Sequence, residues 1–266
     1  MTRRLAHLVV VLIVLAVVAP RAWGQFLTEE ERKGMFTVSL AYSMRDYDMV
    51  FRGASPPIEE IDEILEAFSV NDELDSFELS AAWVSFGYVE LRGVVGLADH
   101  DLTSTHEDAA FDTTFTSSDN LIYGLGATVR YPLADWWLIA LDVSFLLGRF
   151  EDVGGEVAQL DVVDGLTARV DDVDWRELTL TPMMQFRYGS FLPYVGVRLS
   201  RLTTELNTTM ETAGGESFGR IVEFENDEDW SAVVGLTWRA SSLIMAEVQA
   251  QLLNNERITV AIKFTF

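Results

Sequence analysis

Two of the three histidines, His100 and His106, stand in one acidic stretch beside Asp99, Asp101, Ser104, Glu107 and Asp108. An imidazole next to a carboxylate is the pairing that general-base chemistry uses, provided both are held within reach of a substrate proton. A short acidic segment does not supply that geometry, and a histidine beside an aspartate there reads first as a solvated side chain. The chain has no cysteine, which excludes a thiolate nucleophile, a disulfide framework and a cysteine zinc site. Oxygen clusters offer a second chemistry: Asp171, Asp172 and Asp174 in one, and Glu223, Glu225, Asp227 and Asp229 in the other. Calcium accepts roughly six to eight oxygens in flexible geometry, so these are possible cation-binding loops. Neither follows the Asp-x-Asp-x-Asp-Gly order of a helix–loop–helix calcium site. The expectation is therefore no cofactor and no catalytic set, with loop calcium as the sharper alternative.

The surrounding composition narrows the field. The 266 residues carry 42 acids against 19 Lys and Arg, a net charge of -23. Such a chain is a poor partner for nucleic acid, which needs basic surface. Almost half of the residues are apolar and only 6 are proline, which suits a folded core rather than a disordered chain.

The first segment is an address. Arg3 and Arg4 precede the apolar run Leu8–Ala19, Pro20 and Arg21 break it, and Ala22-Trp23-Gly24 fits a small-x-small cleavage site. The run is too short to span a bilayer as a helix. Residues 1–24 are expected to be a signal peptide, and 25–266 one domain. Cleavage removes three arginines and no acid, so the mature chain is more acidic still. Just after it, Thr28 and Glu31 have the spacing of a capping box.

The mature chain alternates with period two. Phe36, Val38, Leu40, Tyr42 and Met44 are separated by Thr37, Ser39, Ala41 and Ser43, and Ile258, Val260, Ile262, Phe264 and Phe266 by Thr259, Ala261, Lys263 and Thr265. Successive strand side chains point to opposite faces, so each segment has a greasy and a polar side. The pattern predicts ten strands, near 35–46, 75–85, 88–98, 119–131, 136–149, 176–188, 191–204, 229–239, 243–252 and 256–266, with eight as the runner-up. The connections alternate between short turns, among them Phe86-Gly87, and long stretches at 47–74, 99–118, 150–175 and 205–228. Short periplasmic turns and long extracellular loops are the pattern of an up-and-down outer-membrane barrel. The long stretches hold most of the acids, so the outer rim is expected to be strongly negative. One of them, Ser55–Phe68, has a capping serine, Pro56 at the first helical position and Ile58, Ile61, Leu65 and Phe68 on one face. It predicts a helix that packs as a lid on the barrel mouth or on a neighbouring loop, or else binds a partner.

Period two alone does not separate a membrane barrel from a soluble sandwich. The apolar face carries aromatics near strand ends, at Tyr131, Trp136, Trp137, Tyr188, Trp230, Trp238 and Phe266, as interfacial girdles do. The other face carries mid-strand charges of both signs. Parity places Arg45, Glu78, Glu90, Arg92, Arg130, Asp142, Glu177, Arg187, Arg198, Arg239, Glu247, Arg257 and Lys263 inside. Such charges are costly in a dry core but can pair in a narrow lumen. The expectation is a charge network that plugs a closed or very narrow barrel.

The final strand, Arg257-Ile-Thr-Val-Ala-Ile-Lys-Phe-Thr-Phe266, and the hairpin Gly124–Trp137 with its Tyr-Pro turn resemble the small bacterial outer-membrane β-barrel proteins, the superfamily of opacity and OmpA-like barrels. The resemblance covers residues 34–266 and is architectural. It implies an integral outer-membrane location among lipid and lipopolysaccharide. It also implies that Phe264 and Phe266 form the signal read by the barrel-assembly machinery. Barrel enzymes of this size class include lipid A deacylases with a His-x-Ser pair and ten-stranded proteases with an Asp–His pair facing an Asp pair. His100 is followed by Asp101-Leu102 and His106 by Glu107-Asp108, so the first pattern is absent, and the required Asp-x-His on a later strand is missing too. The resemblance implies fold and location strongly and activity hardly at all; with the enzyme patterns absent, the expectation is a non-enzymatic envelope-structural or surface-interaction protein whose extracellular partner is unknown. A narrow cation-preferring channel is the alternative, and a barrel enzyme acting on lipid A or peptides comes last.

Overall fold

A computed structural model describes residues 34–266 except 59–61, 63–64, 67, 86–87, 107–112, 152–165, 213, 228 and 254. The expected signal peptide, the Thr28–Glu31 capping box and the Phe86-Gly87 turn lie outside the described residues. Eleven strands follow one another: β1 Phe36–Ser55, β2 Phe68–Ser85, β3 Val89–His106, β4 Thr113–Ala134, β5 Trp137–Glu151, β6 Leu166–Phe186, β7 Phe191–Thr212, β8 Ser217–Asn226, β9 Trp230–Arg239, β10 Ile244–Leu252 and β11 Glu256–Thr265. All pair antiparallel with their neighbours, and β11 closes the ring on β1 through Thr37↔Thr265 to Asp46↔Glu256.

The count of ten is thus one short, and the missing strand is β8, which the sequence reading had given to the stretch 205–228. Its pairing divides the molecule into two tiers. Near the chain termini, β1 pairs with β11 and β7 pairs with β9, so β9, β10 and β11 complete a ten-stranded wall. Farther out, Met49–Ser55 of β1 and Thr203–Glu211 of β7 both pair with β8. This one strand replaces three, and the wall narrows to eight.

The long loops are corrected for the same reason. Most of 47–74, 99–118 and 205–228 belongs to strands that continue past the expected ends, as does the described part of 150–175. The alternation does not stop there but changes phase in polarity. On β1 the inward residues run Ser39, Ser43, Arg45 and then Tyr47 and Met49, while Asp46 and Asp48 face outward. A strand that passes from hydrocarbon into water needs apolar residues outside in the first medium and inside in the second. A reading that followed only the outward apolar row ended each strand where that row ended.

The ten-stranded tier wears an apolar belt. Leu40, Phe77, Leu97, Leu121, Leu125, Leu178 and Ile262 project outward, with Phe77 and Leu125 about 70% exposed. Tyr131, Trp136, Tyr188 and Phe266 lie around the termini end, and Trp230 at the opposite border. A continuous apolar patch this large on a water-soluble surface would be an association site. Beyond the outer end of β1, the helical turn predicted in Ser55–Phe68 is present at Asp62 and Leu65. Asp62 N–H donates to the Ile58 carbonyl and Glu66 N–H to the Asp62 carbonyl.

Candidate functional site: a charged vestibule under an apolar seal

Within the ten-stranded tier the inward side chains are short or charged. Ten strands enclose more room than these can fill, and a cavity of about 270 Å³ results. Met35, Val84 and Ser242 line it at the termini end, and Val94 and Leu146 at its depth. Its charges are largely matched across strands. Arg130 Nη1 lies 2.9 Å from Glu90 Oε2, and Arg92 Nη2 lies 3.4 Å from Asp142 Oδ2, whose other oxygen accepts from Thr128 at 2.6 Å. Lys263 pairs with Glu247, and Arg45 with Glu78.

Glu177 is the hub at the vestibule's depth. It is fully buried, faces Arg45 at 3.8 Å and Arg257 at 3.4 Å, and accepts the Tyr47 hydroxyl at 2.7 Å. Arg45 also lies over the Trp175 ring, 5.7 Å from its centroid. Tyr47 and Trp175 are amphipathic hinges between tiers: their rings join the apolar interior above, while the charges below hold a hydroxyl or a ring face.

Above them the eight-stranded tier is filled. Met49, Val70, Leu74, Leu102, Ile122, Leu146, Phe150, Val173, Leu202, Leu206, Val222 and Phe224 form a buried apolar cluster with Tyr47 and Trp175. Eight strands leave an interior that side chains occupy completely, so the narrowing itself makes this seal possible. Leu65 of the helical turn packs against the cluster, and neighbouring Asp62 pairs with buried Arg220 of β8. Through these two residues the turn touches the interior of the outer tier.

The expected lumen charges are therefore found inside with one exception. Arg187 lies one residue beyond β6 at the termini end and makes no ion pair among the described residues. Arg239 is buried and donates to the Ser241 and Ser242 carbonyls, holding the β9–β10 turn. Arg198 donates from Nε to Thr181 at 3.2 Å and from Nη1 to Gln251 at 3.0 Å. The plug is also corrected: the charges pair but leave a cavity, and the closure is apolar. Sequence reasoning missed Tyr47, Asp72, Trp175 and Phe224, because they fall in stretches read as loops. Their alternation at 47, 49 and 51, at 173 and 175, and at 222 and 224 was the available signal.

His100 is a second correction. It is not solvated but sits on β3 inside the seal, 2% exposed, stacked on Phe150 at 4.4 Å. Its Nε2 lies 3.2 Å from Asp72, which also accepts the Thr204 hydroxyl at 2.9 Å. Both members of the pair are buried among the described residues. His106 ends β3 with its side chain outside the described residues, as are Glu107 and Asp108.

The acidic clusters lie on strands of the outer tier. Asp171 accepts from Thr209 at 2.6 Å and from Arg169 at 2.8 Å, and these bonds hold its carboxyl below the usual aspartate range. Asp172 accepts from Arg149 and Asn207, and Glu225 from Arg52 and Arg201. Asp174 stands opposite Glu205, and Glu205 opposite Glu223. Asp227 and Asp229 use their backbones at the β8–β9 junction, where Asp227 N–H donates to the Asp48 carbonyl and Ser200 N–H to the Asp229 carbonyl. Among the described residues no three acidic or histidine side chains gather as a metal site. At the other end, Phe264 stands between Val38 and Ile244, and Phe266 exchanges backbone bonds with Phe36.

No family model and no curated protein matches the sequence. Solved structures of similar shape include the outer membrane protein OprG from Pseudomonas aeruginosa, at 10% identity over 90% of this chain and 99% of that one, with a TM-score of 0.48. The outer membrane protease OmpT from Escherichia coli matches at 10% identity over 88% and 97%, TM-score 0.46. The attachment invasion locus protein Ail of Yersinia pestis matches at 10% identity over 88% and 99%, TM-score 0.33. These are likenesses of shape, not of sequence.

Proposed function

We propose that this chain is an integral outer-membrane barrel that does not conduct. In this reading the ten-stranded tier spans the bilayer, the termini end faces the periplasm, and the eight-stranded tier stands in the extracellular medium as a rigid acidic platform. Its role is envelope-structural or the presentation of that platform to a surface partner, without catalysis. The observation that carries this reading is the buried apolar cluster that fills the outer tier from wall to wall. The polar side chains buried in the same tier, among them His100, Asp72, Thr204, Thr208 and Arg220, are few beside that cluster. The cation-channel alternative draws no support from a vestibule lining that carries more guanidinium and ammonium groups than carboxylates. The final strand and Phe266 fit the assembly signal expected of such a barrel. Refolded protein in planar bilayers tests the reading. The expected trace is flat at both polarities, and reproducible unitary steps from the wild type would overturn it.

A further inference from the structure

Six cationic side chains line the vestibule against four carboxylates, in a protein whose net charge is -23. Arg92, Arg130, Arg257 and Lys263 each face a carboxylate, and Arg239 is turned to the carbonyls of its own turn. Arg198 differs. It is 7% exposed, lines the cavity, makes no ion pair among the described residues, and donates only to the neutral Thr181 and Gln251. Asp142 and Glu177, the carboxylates whose field reaches it, are already engaged by Arg92 and Thr128 and by Arg45, Arg257 and Tyr47.

We propose that the vestibule binds a small oxyanion, a carboxylate or a phosphate, that enters from the termini end and is anchored by Arg198. A guanidinium presents five N–H donors in a planar fork that matches carboxylate and phosphate oxygens, and two donors here are satisfied within the wall. Burying such a group without an opposite charge is costly, so an anion that reaches it gains a charge-assisted contact and relieves that cost. The surplus of positive charge inside low-dielectric walls concentrates anions at the same place. The room is kept open by design of the wall. The Tyr194 ring lies where a side chain on Gly235 would stand, and its hydroxyl donates to Glu247 at 2.8 Å. A glycine at 235 thus lets Tyr194 lie back against β9. The cavity volume is about nine times the share of one liquid water, which is roughly 30 Å³, so an anion of a few heavy atoms fits with water beside it. The seal beyond Val94 and Leu146 makes this a dead end, a place to hold an anion rather than to pass it.

This inference goes beyond the sealed-barrel reading; only its dead end rests on that reading, and conductance tests the seal while calorimetry tests the vestibule. The experiment is isothermal titration of refolded mature protein in detergent micelles with inorganic phosphate and, separately, with succinate. Saturable one-site binding of at least one probe is expected, weakening as salt rises, and the stronger probe assigns phosphate or carboxylate. Arg198→Gln should lower the affinity at least tenfold. Gln251→Glu supplies Arg198 with a carboxylate of the same shape as the native amide, so it should fold and lower affinity by a similar factor. Arg149→Gln, on the outer surface, should leave binding unchanged. Absence of saturable binding of both probes, or unaltered binding in Gln251→Glu, would overturn the proposal.

Discussion

Glu177 shows how one side chain couples the two tiers. Its carboxylate answers Arg45, Arg257 and the Tyr47 hydroxyl at once, with no solvent to take its place. Breaking a buried pair by neutralising one member leaves the partners' charge uncompensated, at a cost of about 3 kcal/mol. Glu177→Gln should lower the guanidinium unfolding free energy in lipid vesicles by that order. Glu151→Gln removes an exposed pair with Arg149 and should stay within about 0.5 kcal/mol. Asp171 belongs to water rather than to the lumen, and its carboxyl is depressed by Thr209 first and Arg169 second. A depressed carboxylate stabilises the fold above its ordinary value of 3.8, and that contribution vanishes as pH falls through the folded value. Thr209→Val should therefore unfold more easily than wild type at pH 7, with the gap closing as the pH falls below the ordinary aspartate range. At this scale the lumen charges were legible, since parity alone put Arg92, Arg130, Asp142 and Glu177 on the inner face. Arg187 lies one residue past the end of β6, where that strand's alternation stops.

The strands explain where the medium changes. On β4 the outward row Leu121, Tyr123, Leu125, Val129 and Tyr131 is exposed and apolar, whereas on β8 inward Val222 and Phe224 are the buried ones. A basic side chain at the middle of the belt costs about 2–4 kcal/mol in a bilayer and little outside it. Leu125→Arg should thus sharply reduce folding into vesicles, while Ile221→Arg, equally outward on β8, should fold as wild type. Equal yields from the two would place the belt in water. The expected ends of β1, β3 and β7 stopped short because the apolar row was traced on one face only. β8 was hidden for another reason: its Glu223 and Glu225, with Asp227 just beyond it, read as a solvated acidic run until its pairing with β1 and β7 shows Val222 and Phe224 turned inward.

The molecule as a whole is a barrel of two widths. Where ten strands surround the lumen it holds a cavity and paired charges, and where eight do it holds a buried apolar cluster. Trp175 stands at the step, fully buried over Arg45. Its removal leaves both a hole and a lost stacking partner, and buried Trp→Ala changes cost about 3–5 kcal/mol. Trp175→Ala should shift the unfolding transition by that amount, while Trp136→Ala, 59% exposed at the termini end, should shift it far less.

The amino-acid sequence by itself determined the strands, the greasy exterior and the inward charges, because a pleated strand sends alternate side chains to opposite faces whatever it pairs with. Strand exchange at β8, the step from ten to eight, the dry seal around His100 and the isolation of Arg198 were decided only in three dimensions. Each depends on which segments, far apart along the chain, become neighbours, and on how many of them share a circumference. Alternation in a single strand carries no information about either.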